Sequence, residues 1–190
     1  MPAKAKVTKD MIVDAAFAIA REAGVENITA RTVSERLHCS TQPVMYHFST
    51  IEELKRTVYA KADSYHSDFL MELKSPQKGV MLGIGMNYIR FAIEEPHLFR
   101  FLFQSDYFRG ATLLELIDAD ELTPVLSAMQ KALNMSMEQT KKVFLTIFLF
   151  AHGYASIIAN NSMQYDEELI QSHLEQAYQG AILAAQEERT

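Results

Sequence analysis

The sequence predicts an all-α protein, a three-helix helix-turn-helix head followed by a larger helical body, with about nine helices in all. Three observations carry that reading. Apolar residues recur at helical spacing, first at Ile12, Ala15, Ala16 and Ile19. Capping residues stand ahead of these runs at Thr8, Thr29, Ser40, Thr50, Ser136 and Asp166. No segment alternates apolar and polar residues long enough for a strand, and no repeat or low-complexity stretch occurs.

Taken in order, Thr8 caps the first helix, and Gly24 stands where a helix C-terminus needs a left-handed residue. Thr29 caps a second, short helix, with Ile28 placed to staple onto Val33, and Val33 and Leu37 point inward. That helix ends near Leu37. His38 follows in the turn, and histidine is one of the few non-glycine residues found with positive φ more than occasionally. Ser40 is expected to cap the third helix, with Pro43 in its first turn, where amide hydrogens have no intrahelical partner. Val44 and Phe48 face inward, leaving Thr41, Gln42, Met45 and Tyr46 outside. Thr50-Ile51-Glu52-Glu53 is a capping box that opens a long helix from Ile51 to about residue 73.

The remaining elements follow from the same signals. Helices are expected over 79–93, after Pro96 in an aromatic run, over 113–117, and over 123–133 with Pro124 just inside the start. Two long helices close the chain, one from about Gln139 to Ala159 behind Ser136, and one over 167–187 capped by Asp166. The expected division is a helix-turn-helix domain over 1–50 and a larger helical domain over 51–190, with 51–73 as connector.

Thr29, Arg31, Ser40, His47 and Phe48, in this order and spacing, resemble the DNA-binding head of the TetR family of bacterial regulators. The chain departs from that pattern at His38, where the family has glycine, at Met45, where it has an aromatic residue, and at Ile51, where it often has lysine. Further along, Tyr88, Phe91, Ala92, Pro96, Leu98, Phe99, Arg100, Phe103, His152 and Gly153 resemble the regulatory part of the TetR subgroup with a histidine-glycine pair in its eighth helix. The resemblance implies a homodimer, a double-stranded DNA operator of near-palindromic sequence and a small-molecule effector of unspecified identity.

Composition limits the classes. The chain has 190 residues, 48% of them apolar, enough for a sizeable core in one or two small domains. Its net charge of −6 is uneven, +1 over residues 1–65 and −7 over the rest, so the head is close to neutral and its non-specific affinity for DNA should be modest. A single cysteine excludes an internal disulfide framework and suits a cytoplasmic location. There is no unbroken twenty-residue apolar run and no secretory signal pattern at the start, so no membrane role is expected. No nucleophile–base arrangement, phosphate-cradling glycine loop or metal-ligand spacing occurs, so neither catalysis nor a cofactor is expected.

Gln42 and Tyr46 lie one turn apart on the exposed face of the third helix, so both can reach base edges together, glutamine suiting adenine. Arg31 and Thr41 stand at helix N-termini that attract phosphate, and His47 and Lys55, with Lys4 and Lys6, are further candidates for backbone contacts. Cys39 fits a small apolar contact with Val44 better than a redox switch. In the body, Met86, Phe91, Phe99, Phe103, Phe144, Phe148 and His152 are candidates to line an effector pocket, with Met81 and Phe108 of the same character, although plain core is the competing role for each. Leu149, Ser156, Leu174, Ala177, Tyr178 and Ala181 lie on apolar faces of the last two helices, whose small residues allow the close approach of a dimer seam. The rival reading is a helical ligand-carrier or protein-interaction module that binds no specific DNA.

Overall fold

The computed structural model describes residues 7–72, 79–107, 112, 115, 117, 122–161 and 164–187. Among them it is all helix, with no strand. Nine α-helices are defined: α1 (Lys9–Ala23), α2 (Ala30–Arg36), α3 (Gln42–His47), α4 (Ile51–Met71), α5 (Val80–Glu94), α6 (Pro96–Phe103), α7 (Thr123–Leu133), α8 (Met137–Asn161) and α9 (Glu167–Glu187). A single 3-10 turn, Val25–Asn27, links α1 to α2. The short helix expected over 113–117 lies mostly outside the described residues.

The chain packs as two compact units, one of Met1–Asp68 with Glu95–Phe108 and the other of Phe69–Glu94 with Arg109–Thr190. In the first, α1 is the hub that touches α2, α3 and α6. Ile12 and Ala16 of α1, Val33 of α2, Val44 of α3 and Leu54 and Val58 of α4 are fully buried, as are Leu98 and Phe99 of α6. These positions recur at three- and four-residue spacing because one helical face must shed water, and that burial is the main driving term. The Tyr59 hydroxyl donates to the Leu102 carbonyl at 3.0 Å and its ring meets Phe101 edge-on, fixing α4 against α6.

The Glu94-Glu95-Pro96 break does more than stop a helix. Glu95 is 4% exposed, and Arg21 of α1 grips both its carboxylate oxygens through Nε, at 2.8 and 2.7 Å. Tyr65 donates its hydroxyl to the same carboxylate at 3.1 Å while the Arg21 guanidinium lies over the Tyr65 ring. A buried carboxylate needs such partners, since breaking one side would strand the charge.

In the second unit α8 lies at the centre and packs against α5, α7 and α9. Its residues Val143, Ile147, Ala151, Ala155 and Ile158 are buried, as are Leu82, Ile89 and Phe91 of α5 and Ile170 and Leu174 of α9, and Val143 clusters with Met129, Met135 and Ala185. Gly85 lets α9 approach α5, because a β-carbon there would stand 2.8 Å from Leu174 Cδ2. Asn87 is buried on α5 and donates to the Leu70 and Glu72 carbonyls at 3.0 and 3.1 Å, satisfying acceptors that the end of α4 leaves open.

Helix α8 is long and apolar enough to cross a membrane by length and composition, although the sequence has no unbroken apolar run of that size. Its charges cluster at Glu138, Lys141 and Lys142, which leaves the rest of the helix apolar. In this fold that apolar length serves as the central packing element of the second unit, and the core helix of a globular domain meets the same test.

Candidate nucleic-acid interface

Local side-chain hydrogen bonds open the first two helices of the head. The Thr8 hydroxyl accepts from the Met11 amide at 3.2 Å to start α1. Gly24 ends it with φ +98° and ψ 157°, a region open essentially only to glycine. Thr29 accepts from the Thr32 amide at 3.1 Å and Thr32 Oγ1 accepts from the Thr29 amide at 3.0 Å, a reciprocal capping box with threonine on both sides. Ile28 and Val33, the expected staple, are both buried.

The turn between α2 and α3 is a Schellman motif. His38 takes φ +51°, its amide donates to the Glu35 carbonyl at 3.1 Å, and the Cys39 amide donates to the Ser34 carbonyl at 3.0 Å. The left-handed residue anticipated at His38 is therefore present. The expected cap at Ser40 is corrected. The residue before α3 is Thr41, with φ −71° and ψ −15°, and no side chain caps this end. Thr41 already has helical dihedrals, which puts Ser40 at the cap position by geometry, but Pro43 three residues on has no amide hydrogen for its hydroxyl to accept.

Helix α3 buries Val44 on one side, and Phe48 closes its end with no exposed surface. Lys9 Nζ lies 5.0 Å from the centre of the Phe48 ring, and the His47 Nε2 bonds the Val7 carbonyl at 3.2 Å. The start of α1 is thereby tied to the end of α3. At Thr50 the hydroxyl accepts from the Glu53 amide at 3.0 Å, while the Glu53 carboxylate reaches one residue beyond the expected box to the Ser49 amide at 2.9 Å.

On the outer side stand Thr41, Gln42, Met45 and Tyr46, all exposed. Tyr46 is 82% exposed, with its ring edge-on to His47 at 5.2 Å. A large aromatic side chain with almost no protein contact, on a helix anchored from behind by Val44, Phe48 and His47, is an unusual use of a residue that normally buries its ring. The face offers a hydroxyl, an amide and a phenol within one helical turn, a donor and acceptor set that fits base edges and phosphates.

The charged candidates are less free than the sequence suggests. Arg31 Nε donates to Glu35 at 2.8 Å, and that bond raises the arginine pKa. Arg36 is paired with Glu22, whose pKa falls chiefly through that bond, and Lys61 is paired with Asp14. Lys55 is half-buried on the first turns of α4. Lys4 and Lys6 lie outside the described residues.

The candidate pocket residues divide between the two units. Phe99 and Phe103 belong to the first unit, where Phe99 is buried and the Phe103 ring meets His66 of α4 edge-on at 5.1 Å. Phe91 is buried in the second unit against Phe69. Phe144, Phe148 and His152 form a stack along α8, with Tyr88 against Phe148. The Tyr88 hydroxyl and His152 Nδ1 are 2.9 Å apart, and burial drives the tyrosine pKa up and the histidine pKa down, so both stay neutral. Phe108 lies outside the described residues. Met86 lines a cleft of about 320 Å³ that also includes Asn87, Arg90 and Tyr165. A second cleft of about 600 Å³ is walled by Val80, Met81, Val125, Met129 and Tyr178. Arg90 and Tyr165 were missed by the sequence reading. The available signal was an arginine inside an otherwise apolar helix.

Of the candidate seam residues, Leu174 is buried within the unit, and Ser156, Ala177, Tyr178 and Ala181 are partly buried. Leu149 is exposed, as are Ile157, Leu169 and Leu183 on the same two helices.

No family model matches this chain. It is similar to an uncharacterized HTH-type transcriptional regulator, YobS, of Bacillus subtilis (strain 168), with 22% identity over 176 residues that span 87% of this chain and 86% of that protein. Among solved structures it resembles a transcriptional regulator from Rhodococcus sp. Rha1, with a TM-score of 0.61 at 15% identity, covering 94% of this chain and 97% of the other. The fold is that of this regulator, present along nearly the whole chain.

Proposed function

We propose that the protein is a DNA-binding transcriptional regulator of the TetR type, a homodimeric repressor that releases a near-palindromic operator when a small molecule binds its body. The observation that carries the reading is the outer face of α3, where Thr41, Gln42 and Tyr46 are exposed on a helix anchored by Val44, Phe48 and His47. The resemblance to the regulators from Bacillus and Rhodococcus over most of the chain supports it. In such a dimer the two copies of α3 enter successive major grooves about 34 Å apart.

In this reading Gln42 and Tyr46 contact bases, and Thr41 and Arg31 contact phosphates, with Lys55 flanking them. His47 acts mainly by holding the start of α1 in place. Leu149, Ile157, Leu169 and Leu183 are the exposed apolar side chains from which a symmetric four-helix seam would form, and Gly153 and Gly180 leave open space on the same helices. The protein is cytoplasmic and has no catalytic role. An effector acts only through its differential affinity for body shapes that hold the two heads at different spacings.

Titrating labelled genomic fragments at two salt concentrations tests the function. Selective retention of some fragments, lost in Tyr46→Ala without loss of folding, is expected. The near-neutral head and the Arg31–Glu35 pair favour the rival carrier or interaction module, and absence of any selectively retained fragment at low salt would overturn the regulator reading.

A further inference from the structure

Among the described residues, one arginine of the second unit is set apart by its burial. Arg90, on α5, has a side chain only 14% exposed. Its guanidinium lies over the Phe69 ring, 4.6 Å from the centroid, and its buried Nε has no hydrogen-bond partner. Glu94, one turn on, places Oε1 3.5 Å from that nitrogen, beyond a normal charge-assisted hydrogen bond. Glu94 is itself about half exposed at 51%.

Arg90 borders the cleft of about 320 Å³. Leu82, Met86 and Ile93 give that cleft an apolar wall, while Tyr165 and Gln171 bring polar groups from the region before α9 and from α9 itself. Its size is at the low end for ligand sites, which restricts it to small molecules. The cleft also has two acids, Glu94 and Glu167, and both are exposed. Charges in contact with water are screened, whereas a guanidinium that is mostly withdrawn from water keeps more of its field, and its buried Nε has no hydrogen-bond partner. The positive end of the cleft therefore dominates. Tyr165 feels the same set of charges. Burial first, then Glu167 and Glu94, push its pKa up while Arg90 opposes them, so its hydroxyl stays protonated and able to donate.

We infer that this cleft binds a small amphiphilic carboxylic acid, its carboxylate on the Arg90 guanidinium and its hydrocarbon body against Leu82, Met86 and Ile93. The acid displaces Glu94 from Arg90 and gives the guanidinium the bidentate partner it lacks. The inference deepens the effector reading, on which only its consequence for DNA binding rests.

Calorimetric titration of the full chain with hexanoate and phenylacetate, against hexanamide, phenylacetamide and hexylamine, tests it. Both acids are expected to bind at least about tenfold tighter than the amides, with no binding of the amine. Arg90→Gln should lose at least about tenfold in acid affinity, and Glu94→Gln, which frees Arg90, should gain severalfold. The inference is overturned if neither acid binds, if acids and amides bind alike, if hexylamine binds instead, or if Arg90→Gln leaves acid affinity unchanged. Should Arg90→Gln fail to fold, as judged by its circular dichroism melt, Glu94→Gln decides alone, and unchanged or weaker acid binding there overturns the site. Repeating the genomic-fragment retention with the bound acid separates the two readings. Retention unaffected by a bound acid leaves the site standing and removes its effector role, whereas a wild-type chain that retains no fragment removes only the regulator reading.

Discussion

Acidification should destabilise the first unit through His66. This residue lies on α4 and is 7% exposed, with its ring edge-on to Phe103 of α6. Burial disfavours the imidazolium and brings the pKa down to about 4, from an ordinary value of 6.5. The unfolded chain thus takes up the proton more readily than the folded one, so stability is full above pH 6.5 and is lost as the pH falls through the window from 6.5 to 4. Linkage over that window gives about 2 kcal/mol lost by pH 5 and roughly 3 kcal/mol once the pH is below both values.

The expected measurement is a urea midpoint followed by circular dichroism at several pH values for the wild type and for His66→Gln, which cannot titrate. Carboxylates shared by both proteins contribute equally, so the difference between the two curves isolates His66. The wild type should lose about 2 kcal/mol more than the variant between pH 7.5 and pH 5. Parallel curves would refute the reasoning, and so would an imidazole resonance of His66 that titrates at or above pH 6.

Four further outcomes follow from the geometry. His38→Gly should stabilise the chain by up to about 1 kcal/mol in urea unfolding, because φ +51° strains an L-residue, and a clear loss would show that the imidazole makes a contact that matters. Gln42→Ala should relax discrimination among retained DNA fragments by roughly 1–3 kcal/mol if the amide reads a base, whereas an equal loss on all fragments would assign it to the backbone. Gly85→Ala places a β-carbon 2.8 Å from Leu174 Cδ2 and should cost about 1 kcal/mol net of the helix propensity it gains, and combination with Leu174→Ala should be less than additive. Leu149→Glu with Leu183→Glu should convert a sedimenting dimer to monomer, and an unchanged sedimentation coefficient would remove α8 and α9 as the seam.

What the sequence made legible was local. Caps at Thr8, Thr29, Ser136 and Asp166 bond the amides that their spacing predicts, with Ser136 and Gln139 exchanging bonds at 3.2 and 3.0 Å and Asp166 accepting from Leu169 at 3.0 Å. The left-handed turn at His38 was readable from the resemblance to a family that has glycine there, together with histidine's tolerance of that conformation, and the Schellman ending involves only residues 34–39. The cap expected at Ser40 failed because α3 carries Pro43 in its first turn, where an amide hydrogen would be needed. Partition of aromatic residues between the two units was not readable at all. Phe99 and Phe103 share a helix pattern with Phe91, yet α6 packs on α1, more than seventy residues earlier.

Two consecutive glutamates show where that boundary of legibility falls. Glu94 pairs with Arg90 four positions back on its own helix, a spacing visible in the sequence, and remains half exposed. Glu95 pairs with Arg21 across 74 positions and keeps only 5% of its side chain in contact with water. By residue type and neighbours the two are interchangeable, and both read as helix-breaking acids before Pro96. Their environments invert what the sequence would suggest about their partners. The exposed Glu94 leaves its arginine under-satisfied, and the buried Glu95 draws from Arg21 and Tyr65 the hydrogen bonds that burial of a carboxylate demands. Removing Glu95 would therefore cost mainly stability, because it strips its partners of a buried anion, whereas removing Glu94 costs little and releases a desolvated cation. An arginine in that state is a recognition group, and its presence came from burial against Phe69 that no spacing rule encodes.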